Sequence, residues 1–464
     1  MTVQKLFISV GTLILSISLS AQDTLKFTVS EAQDHALNYN RSLKTAKIDI
    51  EIAKKVVWET TTIGLPQFTL TANYQHIFVV PELSFPTVGL TQTALVPTSP
   101  LSSLTQESPS YLNGLNMYTL SSPGIPLGTK NNTTFNFTVS QLIFSGEYIV
   151  GLQAARIFKE VSEKAYIKSE LTTKESVAGT YYMVIVLKEN LKVLNEGAEI
   201  MNKTYHEIEQ MNLQGFVENT DVDQMKINQS NLQNLIESMT GQYEVSLKLL
   251  KIQLGIDFAQ ALELTDDLNS IINSDNLEYF VPEDYILRSS IDYKILENQV
   301  ELQRASLHRA QSSYLPSLAG FYQHQELTNA PAFNFMPKDV IGINLSLPIF
   351  TSGQRMSKVS QGKLNLEKAK INKEMAGQSL MLEYETARNN FKTAYLNYTN
   401  NKESLTLSEN IYNKNIIKFK EGLASSLELT QSQSQYLEAE SNYYNSIITF
   451  LQAKAKMDRI LSTN

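Results

Sequence analysis

The sequence predicts a mainly α-helical protein that also carries a transmembrane β-barrel, built as a tandem repeat of helix, strand, strand, long helix and helix. Three observations lead there. The two halves of the chain share their landmarks, apolar residues switch to period two at two places in each half, and heptads run through the long stretches.

Lys5 is followed by an apolar run from Leu6 to Leu19, then Ser20-Ala21-Gln22, which reads as a signal peptide over residues 1–21. No later stretch has the roughly 18 consecutive apolar residues of a spanning helix. A membrane form would therefore have to be a closed barrel, the other structure that satisfies the backbone inside lipid.

The first repeat is read over residues 22–257. Its opening amphipathic helix spans about 30–64, with Ser30 as the N-cap, and ends at Leu65-Pro66. Strands follow over about 67–78 and 132–144. In the first, Phe68, Leu70, Ala72 and Tyr74 alternate with Thr69, Thr71 and Asn73. In the second, Phe135, Phe137 and Val139 alternate with Asn136, Thr138 and Ser140. A long helix is expected over 146–213 and a further one over 216–256, separated by Gly215, the residue type that commonly stops a helix.

A connector over 258–282 leads to the second repeat, residues 283–464. Its helix is read over 283–314, closing on Leu315-Pro316, at an offset of 250 from the first Leu-Pro pair. Strands are read over 317–326 and 339–350, where Ile341, Ile343, Leu345 and Leu347 alternate with Gly342, Asn344 and Ser346. Helices then run over 353–420 and 424–461. Gly146 and Gly215 recur as Gly353 and Gly422, both at an offset of 207, so the long segment between each pair has one length. Its heptads fall on Tyr384, Phe391, Tyr398, Leu405, Tyr412 and Phe419 in the second copy, and on Val177, Val184, Leu191, Ala198 and Tyr205 in the first.

The copies differ in length by 43 residues, all between Pro66 and Gly146. That insertion lies within 81–131, a stretch with seven of the 13 prolines and only Glu82, Glu107 and Lys130 charged, so it is read as an exposed loop. It either covers the mouth of a pore or decorates the surface. No strands beyond the four are read, and nothing else is left to bury their apolar faces. Two hairpins leave open edges, and known bacterial barrels start at about eight strands, so several chains would have to close the barrel together.

In sequence order these features resemble the TolC family of outer-membrane efflux and secretion channels, over about residues 28–464. The resemblance rests on the tandem repeat, the two Leu-Pro entries, the Pro348-Ile349-Phe350 exit before Gly353, and the Gly215 and Gly422 turns, each followed six residues on by an acid, Asp221 and Glu428. It implies a trimer with a 12-stranded barrel in the cell outer membrane and a coiled-coil tunnel in the periplasm. It also implies passive transport as the exit duct of a tripartite efflux or type I secretion system. Its partners would be a periplasmic adaptor (membrane fusion) protein and an inner-membrane pump or ABC transporter.

The resemblance assigns adaptor contact at the periplasmic tip to Gly215, Phe216, Gly422 and Leu423. The plainer alternative is that the glycines only end their helices. Thr220 and Asp221 match the family's latch pair, while the linking aromatic falls at Phe419, without a hydroxyl, and the linking basic position at Ala424. Glu428 matches one pore acid, and the next is Gln431. Asp221 and Glu428 equally suit a solvated first helical turn. Phe135, Phe137, Val139, Ile341, Ile343, Leu345 and Leu347 are the expected lipid-facing positions.

Catalytic chemistry is not legible. Cysteine is absent, and His35, His76, His206, His308 and His324 have no metal-ligand spacing. Asp221-Val222-Asp223 lacks the rest of a calcium loop, and no phosphate loop or nucleophile elbow occurs. Neither catalytic nor metal-binding residues nor a cofactor are assigned, and no enzyme is expected. With 39 basic against 47 acidic residues the formal charge is -8, so nucleic acid is not an expected partner. Charged residues make up only 19% of a chain rich in Tyr and Phe, which fits lipid contact. The alternative is a coiled-coil structural protein of the periplasm or cell surface, in which the strands form a small sheet.

Overall fold

The computed structural model describes residues 24–84, 86–92, 115–121, 125–273, 285–330 and 334–462; for 86–92 and 115–121 it describes the backbone alone. The expected leader over 1–21 lies outside the described residues, as do 93–114 of the insertion and all of 274–284.

The chain divides into two compact units. Of the described residues, those within 1–57, 153–307 and 358–464 form a helical unit, and those within 58–152 and 308–357 form a strand unit.

In the helical unit, β1 (Leu25–Phe27) leads into α1 (Val29–Tyr39). The N-cap is Thr28, not Ser30. Glu31 lies three residues after Thr28 and closes a capping box, with the Thr28 amide donating to Glu31 Oε2 at 2.8 Å. Ser30 would need Gln33 for that role, and Gln33 instead donates to the Lys174 carbonyl at 3.0 Å.

The single helix expected over 30–64 is two, because Asn40 interrupts it before α2 (Arg41–Thr62). Asn40 Oδ1 accepts from the amides of Ser42 and Leu43 while its Nδ2 donates to the Gln253 carbonyl at 2.7 Å. One side chain thereby caps the new helix and ties the break to α4 (Asn219–Leu254).

The long helices are α3 (Gly146–Leu213) and α7 (Gln354–Lys420), with α4 and α8 (Ser426–Leu461) as their successors. In α7 the heptad residues Tyr384, Phe391, Tyr398 and Phe419 are buried, and so are Val177 and Val184 of α3. They feed two cores. One gathers Val177, Tyr181, Tyr384, Phe391, Tyr398 and Phe450; the other gathers Met201, Ile208, Met225, Leu232, Phe419 and Leu429. Removing a fully buried aromatic such as Phe450 would cost about 3–5 kcal/mol.

The connector expected over 258–282 carries structure of its own. It contains β8 (Leu262–Leu264), which pairs in parallel with β1, and the short helix α5 (Leu268–Asn273). A 3₁₀ turn at Leu287–Ser289 precedes α6 (Ile291–Ser312), so the helix expected from 283 starts later.

The strand unit is built on β2 (Gln67–His76), β7 (Asn131–Ser145), β9 (Ser317–Leu327) and β10 (Asp339–Ser346). They form one antiparallel sheet in the order β10-β9-β7-β2. The sheet is open, with β2 and β10 each paired on one side. The expectation of only four strands is wrong, since part of the insertion is itself β structure. β3 (Glu82–Leu83) pairs with β6 (Ile125–Pro126), and β4 (Pro86–Gln92) pairs with β5 (Leu115–Ser121). The seven prolines of the insertion made its composition look loop-like, although Pro86 and Pro126 lie within β4 and β6.

Candidate membrane sheet and helical tip

Register decides what each face of the sheet carries. Directly opposed residues share a face. One row therefore holds Phe68, Val139, Tyr322 and Ile341, and the next holds Leu70, Phe137, His324 and Asp339. Phe135 stands beside Ala72 and Glu326, and Ile343 beside Gly320. Leu345 belongs to this face as well, paired with Leu318, while Leu347 lies just past the end of β10. The face is bare within the chain: Ile341 is 85% exposed and Ile343 71%.

The other face is mainly polar, with Phe321, Leu142 and Val340 as its large apolar members. Its rows run Thr69, Thr138, Gln323 and Val340, then Thr71, Asn136 and Gln325. The extra residue Ile143 bulges β7 between Leu142 and Phe144, which keeps Phe144 level with Leu318 after the phase change.

The apolar face ends in a polar belt near the β9–β10 turn. Asp339 Oδ1 accepts from the Tyr322 hydroxyl and lies against His324 Nδ1, both at 2.7 Å, and Lys338 Nζ meets both Glu326 oxygens at 3.0 Å. Tyr74 and His76 both contact Asn131 Oδ1. Aromatic and polar groups flanking an apolar band are what a strand end needs at a membrane surface.

At the opposite end of the strands, the exit into α7 is clamped. Arg355 donates from Nη1 to the Pro348 carbonyl at 2.7 Å, and its guanidinium lies over the Tyr314 ring. Gly146, which starts α3, is needed for space, since a Cβ there would meet Leu315 and Ser312.

In the helical unit, Gly215 and Gly422 end α3 and α7 in the same way. Their φ values are +79° and +73°, in the left-handed region that favours glycine. Phe216 N–H reaches the Met211 carbonyl and Leu423 N–H the Lys418 carbonyl, at 2.9 and 2.8 Å. This turn leaves the next side chain outside: Phe216 and Leu423 are 73% and 72% exposed, against 6% for Phe419 one turn back.

The two acids at the tip cap their own helices. The Glu218 amide donates to Asp221 Oδ2 at 3.2 Å, and the Ser425 amide donates to Glu428 Oε2 at 3.0 Å. Thr220 donates to Glu218 Oε2, so neither member of that pair bonds to the second half of the chain. Phe419 is packed in the core that gathers Met201, Ile208 and Leu429, and Ala424 is partly buried against it. Other residues join the halves here. Lys420 Nζ lies 2.7 Å from Glu207 Oε2, and Asn228 Nδ2 donates to Thr430 Oγ1 at 2.9 Å. Sequence reading missed both, because only the fold brings their partners within reach.

Among the described residues no helix is long and apolar enough to cross a membrane, which says nothing of the sheet.

This mainly helical fold is that of the TolC-like outer-membrane efflux channels. Residues 287–462 match the sequence family described as outer membrane efflux protein. The solved outer membrane channel CmeC of Campylobacter jejuni is similar at a TM-score of 0.67 and 20% identity, covering 93% of this chain and 85% of that one. CusC, whose structures concern folding and transmembrane channel formation, is similar at 0.72 and 13% identity, covering 95% and 93%. The outer membrane protein VceC of Vibrio cholerae is similar at 0.68 and 14%, covering 94% and 96%. No curated protein matches. The resemblance read from the sequence is thereby shown, and these identities carry it at the level of fold.

Proposed function

We propose that this chain is the outer-membrane exit duct of an efflux system, a passive pore extending into the periplasm. The observation that carries the proposal is the face separation of the sheet. An open four-stranded sheet with one apolar and one polar face suits neither water nor lipid by itself. Three copies, each joining its β2 edge to the β10 edge of the next, would close 12 strands with the apolar face toward lipid and the polar face toward a water-filled lumen. The paired landmarks of the two halves support reading the chain as a tandem repeat.

The helical unit then forms the periplasmic tunnel, with Gly215, Phe216, Gly422 and Leu423 meeting an adaptor, and an inner-membrane pump supplying the energy. Exposed apolar side chains directly after both turns favour that role. Thr220, Asp221, Phe419 and Glu428 surround the gate, but the contacts named above favour a tip held by Lys420–Glu207 and by packing around Phe419, with the two acids occupied in capping. The chain itself does no catalysis in this reading.

Because the protein has no cysteine, an introduced pair is unambiguous. One cysteine in β2 and one in β10, scanned across Leu70 and Ile343, should cross-link separate chains into species up to, and not beyond, a closed trimer. Cross-links confined to a single chain, or an open-ended ladder, would refute the edge-to-edge closure.

A further inference from the structure

A cavity of about 180 Å³ lies within the helical unit among α3, α4, α7 and α8, away from the tip turns. Its wall joins two kinds of surface. Much of it is apolar, from residues such as Val193, Leu194, Ile200, Leu232 and Ile416, with Asn413 and Gln433 among them. It also carries three carboxylates, Glu196, Glu409 and Glu440, and the rings of Tyr412 and Tyr436, stacked 5.6 Å apart at 10°. No Lys, Arg or His lines it.

Two features separate this wall from an ordinary acidic patch. Glu440 is only 2% exposed, and its Oε1 has no hydrogen-bond partner. A buried acceptor left unmade costs free energy that a donor would recover. In addition, Gly197 lines the cavity from the interior of α3, and a Cβ built there meets nothing within 4 Å. Glycine inside a helix costs about 1 kcal/mol relative to alanine, and here its missing side chain leaves the space open.

We infer that this cavity binds a small organic cation, an alkylammonium whose charged head donates to Glu440 and lies beside the Tyr412 and Tyr436 rings while its chain packs against the apolar lining. The head supplies the donors that Oε1 lacks and the positive charge that three acids lack. The rings add attraction for a cation at their faces. A metal ion fits less well, since much of the wall is apolar and no cluster of acids or histidines among the described residues is placed to hold one.

Proton and cation compete at this site. Burial raises the Glu440 carboxyl to about 7, with the Glu409 carboxylate adding to the rise and a Tyr436 hydrogen bond opposing it. The facing ionisable groups are Glu409 and Tyr412 of α7, Glu196 of α3, and Tyr436 and Tyr444 of α8; α4 contributes Leu232. All are acids or phenols, so raising the pH ionises Glu440 and strengthens cation binding.

The test is calorimetry on the full chain purified in detergent, titrated with n-butylammonium and, as an uncharged match in size, with 1-butanol. Saturable butylammonium binding is expected at about pH 8, at least tenfold weaker at about pH 5.5, with no butanol binding. Glu440→Gln and Gly197→Leu should each weaken it at least about tenfold. Circular dichroism checks that each variant folds, and Glu440→Gln alone decides should the leucine variant fail to fold. Absence of binding, equal binding of butanol, or unchanged binding in both variants would overturn the inference. The cavity lies within one chain and the assay uses no membrane, so its failure is distinguishable from failure of the duct reading.

Discussion

The ammonium of Lys420, in the last turn of α7, stands 2.7 Å from the carboxylate of Glu207 on α3. It joins the two halves of the chain one residue after the buried Phe419, at the level where the family pattern suggested a latch through other residues.

Both side chains are about half exposed, at 45% and 52%, so the pair should add only about 0.2–1 kcal/mol to stability. Its effect on the opening should be larger than its effect on folding. Lys420→Glu should raise single-channel conductance in planar bilayers with almost no change in melting temperature, and adding Glu207→Lys should restore the low conductance. An unchanged conductance would assign closure to packing alone.

Ile343 and Asn344 are neighbours in β10 on opposite faces of the sheet. Ile343→Asp should abolish assembly into the outer membrane, since a charge near the lipid midplane costs roughly 2–4 kcal/mol at each copy, less for Asp than for Lys or Arg. Asn344→Asp should assemble normally. Membrane fractionation and immunoblotting distinguish the two. A soluble structural protein would tolerate both with a modest loss of stability.

Stability should also fall as pH rises through neutrality. The folded protein holds the Glu440 carboxyl at about 7 against an ordinary 4.5. Between those values the folded state binds a proton that the unfolded state has released. This contribution is complete below about 4.5 and lost as the pH passes 7, roughly 3 kcal/mol in all. The melting temperature should therefore be higher near pH 5 than near pH 8, and Glu440→Gln should flatten that difference.

Arg459 of α8 serves three acids from other helices. Its Nη2 lies 2.7 Å from Glu383, Nη1 lies 3.8 Å from Asp292, and Nε comes within 2.6 Å of Glu175 without hydrogen-bond alignment. The side chain is 13% exposed. Arg459→Ala should destabilise by about 3–5 kcal/mol because the acids lose their shared cation, with Lys456 and Lys168 compensating only Glu383 and Asp292. Urea denaturation of the purified protein measures this directly.

Much of the fold was legible because its signals are periodic. The alternation at Ile341, Ile343 and Leu345 depends only on strand geometry, and the heptads through Tyr384, Phe391 and Tyr398 depend only on helix geometry. What escaped depends on partners distant in sequence. Asn40 reads as an ordinary helical residue until Gln253 is beside it. Leu262–Leu264 is too short to signal a strand without Leu25–Phe27 as its mate. At the tip the glycines announced themselves, but Asp221 and Glu428 gave no sign of their capping role beyond their spacing from Glu218 and Ser425. Glu440 was invisible as a site, since a glutamate in a helix reads as solvated surface until four helices are seen to enclose it.

The most direct test of the duct reading is the mass of the protein extracted from separated inner and outer membranes. The expected result is an outer-membrane species with the mass of three chains. A monomer or dimer recovered from the soluble periplasmic extract would contradict it.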